Sequence, residues 1–321
     1  MAVEQSLVSI VIPAFRADAF IRETLEHVSQ QTYTAWELIV VEDASTGETE
    51  TIVRDFATRH PGHRVEFRRH EKNQGPSASR NTAIQEARGK YIALLDADDL
   101  WMPAHLKASV QALETENCDL VYSRVVTFDS ETGHLMGIWG PGKGERESFP
   151  QGLFHRNFIT PSTVVLRREV FDQVGGFDPS PEIQACEDLE FWLRCVQANV
   201  TFLCIPGCHC MYRRGNPSAG SAQLDRMLVR QALVLEKHLG MPEIPLREQH
   251  YQLYRTYRQA GMSRIFADPA QATSLFWKAW RNFPRRVDCL VLAIFSGSIA
   301  AARKCLQKCG LSSKAKGLAT S

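Results

Sequence analysis

Asp96, Asp98 and Asp99 put three carboxylates into the four residues "DADD". Without a cation, their mutual repulsion raises at least one pKa or destabilises the turn. A bound divalent ion resolves that conflict, and hard oxygen ligands suit Mg²⁺ or Mn²⁺, which bridge readily to a diphosphate. The plainer alternative is that Asp98 or Asp99 caps the helix opening near Pro103. Two other apolar runs end in a breaker or in acids, "PAF" at 13–15 and "EDAST" at 42–46. Open α/β sheets bind ligands beyond the carboxyl ends of their strands, so polar residues at such ends carry functional weight.

Those ends exist only if the flanking segments are strands. From 7 to 129, short β-branched runs alternate with stretches of helical spacing, the pattern of parallel strands joined by crossover helices. Strands are expected at 8–13, 37–42, 65–69, 91–95 and 120–127, and helices at 19–31, 48–59, 77–88 and 103–116. The runs "SIVIP", "ELIVV" and "YIALL" are almost wholly apolar, as a sheet covered on both faces requires. The segment 133–151, "GHLMGIWGPGKGERESFPQ", holds five glycines and two prolines and reads as a long surface loop. At 161–178, "PSTVVLRREVFDQVGGFD" reads as a short strand and a helix ending at Gly175 and Gly176, with another helix near 186–197. After Pro217 the pattern is helical almost to the end. The expected class is α/β with a mainly helical C-terminal extension.

Composition limits the function classes. The 321 residues are 44% hydrophobic and 23% charged with a net charge of +1, which excludes disorder, collagen and coiled coil and argues against a general nucleic-acid binder. The total hides an asymmetry: residues 281–321 carry eight Lys or Arg against the single Asp288, a net +7, leaving −6 on the other 280. Nine cysteines in so long a chain are not a disulfide framework. The start lacks the basic region of a signal peptide, so a reducing cytoplasm is expected. Cys204, Cys208, His209 and Cys210 lack a second paired cluster at zinc-ligand spacing and read as thiols buried in the fold.

With these residues in view, the chain resembles the family 2 glycosyltransferases, inverting enzymes with the GT-A nucleotide-sugar-binding fold. The resemblance covers roughly 6–220 and rests on "VSIVIPAF", "ELIVVEDAST", "NQGPSASRNTAI", "YIALLDADD", "VGGFD" and "CEDLEFWLR", six motifs in the family's order and spacing. Two regions are implied: a GT-A domain at 1–220 and a helical region at 221–321.

The resemblance assigns roles residue by residue. Pro13 and Ala14 line the nucleoside pocket and Asp43 hydrogen-bonds the uracil or ribose, with Glu42 standing where the family often has Asp. Asn73, Gly75, Ser77, Arg80 and Asn81 match the turn and helix beneath the sugar nucleotide. Gly75 permits close approach and Arg80 offers a planar donor fork, although a buried Arg80 bridging the strand-end acids is the structural alternative. Asp96 and Asp98 match the first and last acids of the DXD element, Asp98 as the direct ligand of Mn²⁺ or Mg²⁺ and Asp96 as a ribose contact. Asp188, in the "ED" opening a helix, matches the catalytic base, the one carboxylate that inversion by a single displacement needs. The structural alternative is that Glu187 and Asp188 only favour the positive end of the helix.

Further on, "CMYRRGNPSAGS" at 210–221 resembles the family's closing segment, in which Arg213 or Arg214 folds over the pyrophosphate. Asn216 stands where a histidine is common, and His209 is the nearest imidazole. Thr160, Pro161, Ser162 and Thr163 match part of an acceptor pocket to which Trp139 and Trp192 add aromatic contacts, although Trp192 fits a core position better. No QXXRW-type element is present, which favours single transfer over polymerisation.

The function implied is transfer of one sugar from a nucleotide-diphospho-sugar, UDP-linked, to a hydroxyl of a saccharide or lipid-linked acceptor in cell-surface polysaccharide or glycoconjugate assembly. The alternatives are a sugar nucleotidyltransferase, which needs a glycine-rich basic loop where "PAFRADAF" has little glycine, and a catalytically silent nucleotide-sugar binder or scaffold, which would lack the base. The run 287–302, about 24 Å as a helix, is too short for a hydrocarbon core of about 30 Å. Its basic flanks suit either a buried helix with charged ends in water or peripheral contact with the anionic inner face of a membrane.

Overall fold

The computed structural model describes residues 5–215 and 224–308. The chain divides into two compact units, Met1–Ala222 and Gln223–Ser321.

The first unit opens with β1 (Val8–Ala14), α1 (Ile21–Ser29), β2 (Trp36–Glu42), α2 (Thr49–Arg59), β3 (Val65–Arg69), α3 (Pro76–Glu86) and β4 (Tyr91–Leu94). It continues through β5 (Leu100–Trp101), α4 (His105–Thr115), β6 (Leu120–Asp129), β7 (Leu135–Trp139), α5 (Lys143–Glu147), α6 (Gln151–His155) and a 3₁₀ turn (Pro161–Thr163). Then follow β8 (Val165–Arg167), α7 (Glu169–Val174), α8 (Glu187–Gln197) and β9 (Phe202–Arg214). The sheet runs β3-β2-β1-β4-β8-β6-β9-β5, with β7 paired to β6. β1, β2 and β4 are parallel neighbours, and β8 is antiparallel to both β4 and β6. The apolar runs are explained by cover on both faces: Val8, Ile10, Ile12, Leu38, Val40, Tyr91 and Ala93 are fully buried in one cluster with Ile21, Leu25 and Phe56 from the helices, and Val11, Ile39, Val41, Ile92 and Leu94, which alternate with them, are fully buried too.

The chain winds outward from β1 to β2 and β3, then returns to place β4 on the other side of β1. Such a reversal leaves a crevice beyond the carboxyl ends of β1 and β4. Pro13 marks the parting. Its ladder with β2 continues at Val41, whereas the ladder with β4 ends at Val11, so no sheet partner is lost for want of an N–H.

Three stretches differ from the sequence expectation. Residues 133–151 are not a loop throughout: β7 pairs antiparallel with β6, and α5 follows. β7 is exposed along its length, so no buried face imposes the alternation that would have revealed it. β9 was not expected as a strand because Pro206 and Gly207 interrupt it, and the β6–β9 register shifts nearby. Finally, β5 precedes α4, which starts at His105 with no side-chain cap; neither Asp98 nor Asp99 caps it.

The second unit contains α9 (Leu224–Lys237), α10 (Leu246–Arg264), α11 (Pro269–Asn282) and α12 (Asp288–Lys308). α10 packs on α9 and α11, and α11 packs on α12. Asp268 caps α11 by accepting from Gln271 N, with Pro269 in the first turn where its missing N–H costs nothing. Gly261 on α10 lies against the Phe276 ring, whose nearest carbon would be 2.6 Å from an added Cβ. Among the described residues, no helix is long and apolar enough to cross a membrane.

Candidate active site

The site begins where β2 ends. Asp43 N donates to Ala14 O at 2.8 Å, joining the ends of β1 and β2. The Asp43 carboxylate accepts from Gln74 N at 2.9 Å and Gly75 N at 2.7 Å and faces His70 Nδ1 at 2.9 Å, while Asn73 Nδ2 donates to Asp43 O at 3.3 Å. Asp43, Asn73 and Gly75 therefore form one constellation. The buried carboxylate of Asp43, expected to contact the nucleoside, anchors the loop that launches α3. Gly75 holds φ at 86°, a conformation that favours glycine.

α3 then carries Arg80 into the interior. Its guanidinium donates to Asp96 Oδ1 at 2.6 Å and to Glu187 Oε1 at 3.2 Å, over the Phe177 ring at 5.4 Å. Burial alone would lower its pKa, but Asp96 and Glu187 hold it above the usual arginine value. The fork expected to face the sugar nucleotide is thus taken up by two acids 91 positions apart in the chain. The next residue, Asn81, clasps the backbone of Phe177: Phe177 N donates to Oδ1 and Nδ2 donates to Phe177 O, both at 2.8 Å. This clasp brings "GGFD", and α8 after it, to the end of β4.

At that end the three aspartates have different surroundings. Asp99 is buried; Ser162 Oγ donates to it at 2.5 Å and Arg213 N at 3.0 Å. Burial, then Asp98 and Asp96, push its pKa well above the ordinary aspartate value, and its two contacts make this acid part of the frame. Asp96 is partly exposed, with one oxygen on Arg80, and Asp98 is partly exposed. Among the described residues, no group of three or more His, Cys, Asp or Glu is placed to hold an ion. That includes Cys204, Cys208, His209 and Cys210, which lie along β9. Two carboxylates at the crevice nevertheless fit a divalent ion of the Mg²⁺ or Mn²⁺ type, which completes its shell with waters and substrate phosphates.

Asp188 starts α8. Asn157 Nδ2 donates to its Oδ2 at 2.7 Å, and Leu189 N donates to its Oδ1 at 2.7 Å. Burial and then the neighbouring Glu187 raise its pKa to about 7, against the opposing pull of those two donors and of Arg80. Two routes link this acid to the aspartate turn. One runs through Arg80, which bridges Asp96 to Glu187. The other is the segment from Asn157 to Ser162, whose far end accepts from Asp96 N at 3.1 Å and from Trp101 Nε1 through its carbonyl at 2.6 Å.

Several expected contacts lie elsewhere. Ser162 and Thr163 are fully buried and bonded within the fold, beneath the aspartate turn and not in an open acceptor pocket. Trp192 is fully buried, in the core as its helical neighbours suggested. The Arg213 side chain does not lie free over a pyrophosphate. Its place opposite Phe128 in the β6–β9 ladder buries it between Phe20 and Phe128, where it donates to Asp98 O at 2.9 Å and Glu23 at 2.7 Å. Arg214 points to the other face, 5.6 Å from the Trp139 ring, which Arg156 approaches at 4.4 Å. Asn216 and the rest of the closing segment to Ser221 lie outside the described residues. Asn157 carries no signal in the sequence, since it stands alone between α6 and the 3₁₀ turn.

Comparison with known proteins agrees with this construction. The model of "Glycosyl transferase family 2" matches residues 9–175, from β1 to the end of α7. The putative teichuronic acid biosynthesis glycosyltransferase TuaG of Bacillus subtilis is 28% identical over 225 residues, 67% of this chain and 82% of that protein. The UDP-Glc:alpha-D-GlcNAc-diphosphoundecaprenol beta-1,3-glucosyltransferase WfgD of Escherichia coli is 28% identical over 247 residues, 77% of this chain and 91% of that protein. Among solved structures, residues 1–349 of S. aureus TarS in complex with UDP-GlcNAc superpose with a TM-score of 0.65 at 16% identity, covering 92% of this chain and 91% of that one. The mannosyltransferase PcManGT of Pyrobaculum calidifontis, in complex with GDP-Man and Mn²⁺, gives 0.58 at 20% identity, covering 92% and 86%. A family match over half the chain, on a sheet whose crevice gathers the motif residues, makes this protein a member of glycosyl transferase family 2, with the GT-A fold and a helical C-terminal region.

Proposed function

We propose that the chain transfers a single sugar, with inversion, from a UDP-linked sugar to a hydroxyl of a saccharide or lipid-linked acceptor in cell-surface polysaccharide or glycoconjugate assembly. The observation that carries this reading is the Arg80 bridge, which brings the aspartate turn and the start of α8 to one site. The donor class follows TarS, described with UDP and UDP-GlcNAc, and the lipid-linked acceptor follows the name of WfgD. A cytoplasmic place of work, with peripheral contact to an anionic membrane, belongs to the same reading.

In this reading Asp188 is the base. Its Oδ2, held by Asn157, takes the proton of the acceptor hydroxyl as that oxygen bonds to the anomeric carbon, and the bond to the diphosphate breaks on the opposite face. A pKa near 7 gives a carboxylate basic enough to accept a proton in the transition state and ionised often enough to act. Asp98 and the free oxygen of Asp96 would hold Mn²⁺ or Mg²⁺, which supplies positive charge where the departing diphosphate becomes more negative. Arg80 keeps Asp96 in place from behind. Pro13 and Ala14 form the wall at the parting of β1 and β4, and the Asp43-anchored loop with Asn73 and Gly75 forms the next.

The test is Asp188→Asn in purified protein, with donor binding followed by thermal stabilisation and transfer followed by product formation. Donor-induced stabilisation that persists while transfer is lost supports the assignment. Undiminished transfer removes Asp188 from the base role, and a wild type that binds donor without ever transferring sugar returns the reading to a silent nucleotide-sugar binder.

A further inference from the structure

α12 has two faces of low polarity and uses one of them for packing. Cys289, Ala293 and Ser296 are buried on the side that meets α11, where Ser296 Oγ lies 2.9 Å from Thr273 Oγ1. On the opposite side, Val287, Val291, Ile294 and Phe295 are 63%, 63%, 62% and 51% exposed. At 3.6 residues per turn these positions form one stripe, and Ser298 and Ala302 prolong it without a charge. The charges stand off the stripe: Arg285 and Arg286 precede it and Lys304 lies toward its end, all three exposed, while Arg303 beside it donates to Phe266 O at 2.6 Å and Ala267 O at 3.4 Å. Asp288, the helix's only acid, is engaged by Arg258 at 2.8 Å and Tyr254 at 3.0 Å. Contiguous exposed apolar side chains of this kind mark a surface that something covers.

We propose that the outer face of α12 docks on an anionic lipid bilayer. The helix lies in the interface plane with its apolar stripe among the upper acyl chains, and Arg285, Arg286 and Lys304 meet acidic headgroups. Two observations select this occupant. The helix is not long and apolar enough to cross a membrane, which fits a segment that lies on it. The net +7 of residues 281–321 opposes a second copy of this chain, since pairing this face with itself would set the same basic side chains against each other. The inference rests on the proposed lipid-linked acceptor only for its purpose, the delivery of an enzyme to a substrate embedded in lipid; docking itself needs no turnover.

The full-length chain, mixed with vesicles of phosphatidylcholine alone or with added phosphatidylglycerol, is sedimented and assayed in the pellet. It is expected to pellet with the anionic vesicles, little with the neutral ones, and to be released by salt. Ile294→Glu together with Phe295→Glu is expected to lower partitioning at least about tenfold, as is the milder pair Ile294→Ser and Phe295→Ser. Arg285→Glu with Arg286→Glu is expected to remove the preference for anionic lipid. Each variant is expected to keep the wild-type Tm and donor-induced stabilisation, so failure of docking and failure of the enzymatic reading give different results. A wild type that stays in the supernatant with anionic vesicles overturns the proposal. So do stripe variants that pellet as well as the wild type, or a wild-type dimer that the stripe variants split.

Discussion

Asn157 donates to Oδ2 of Asp188 at 2.7 Å, and this contact fixes the direction of the acid that starts α8. A donated hydrogen bond favours the carboxylate over the acid form, so Asn157 counters burial and Glu187, both of which raise the Asp188 pKa. Asn157→Ala is therefore expected to move the acid limb of the pH–rate profile upward and to lower kcat more than it raises the donor KM. A profile that keeps its midpoint would remove Asn157 from this role.

The wild-type rate of transfer is expected to rise with pH through about 7, where Asp188 loses its proton, and then level off. Asp188→Asn abolishes that titration and is expected to cost about 10²–10⁴-fold in kcat, the usual range for a positioned base. Steady-state kinetics across pH on both proteins measures both effects.

The same shift has a consequence for stability. In the unfolded chain Asp188 titrates near 3.8 and in the folded chain near 7, so between these values the folded state binds the extra proton. Stability contributed by this group then declines as pH rises through the window. Asp188→Asn is expected to melt above the wild type on the alkaline side of about 7, the gap closing as pH falls toward 4; calorimetry at a series of pH values decides it.

Arg80 is buried with Asp96 and Glu187, and removing it leaves two acids without their cation. Arg80→Met is expected to destabilise the fold by about 3–5 kcal/mol, the cost typical of breaking a buried ion pair on one side. Arg80→Lys keeps the charge but not the fork, so it is expected to fall between the two. Denaturant unfolding measures the ranking.

Asp98 matches the last acid of the DXD element and is partly exposed at the crevice, whereas Asp99 is buried against Ser162 and Arg213 N. Asp98→Ala is expected to remove the extra thermal stabilisation that Mn²⁺ adds to a UDP-sugar, leaving the metal-free stabilisation unchanged. Equal metal dependence in variant and wild type would shift the assignment away from Asp98.

What the residues settled by themselves is the local and periodic part of the fold. Nearly continuous apolar runs at β1, β2 and β4 required a sheet covered on both faces, and polar or breaker residues after each run marked the ends where ligands bind. The sequence also carried the six family motifs, and with them the candidate residues, since each motif is a contiguous string. Tertiary structure decided which side chains remain available for chemistry. Asp43, Arg80, Ser162 and Arg213 sit in the right neighbourhood yet turn their polar atoms to protein partners, because the contacts that bury them come from elements 30 to 190 positions away. β7 and Asn157 went unseen for a related reason: an exposed strand has no alternation to display, and a lone polar residue in a connection acquires meaning only when folding sets Asp188 beside it.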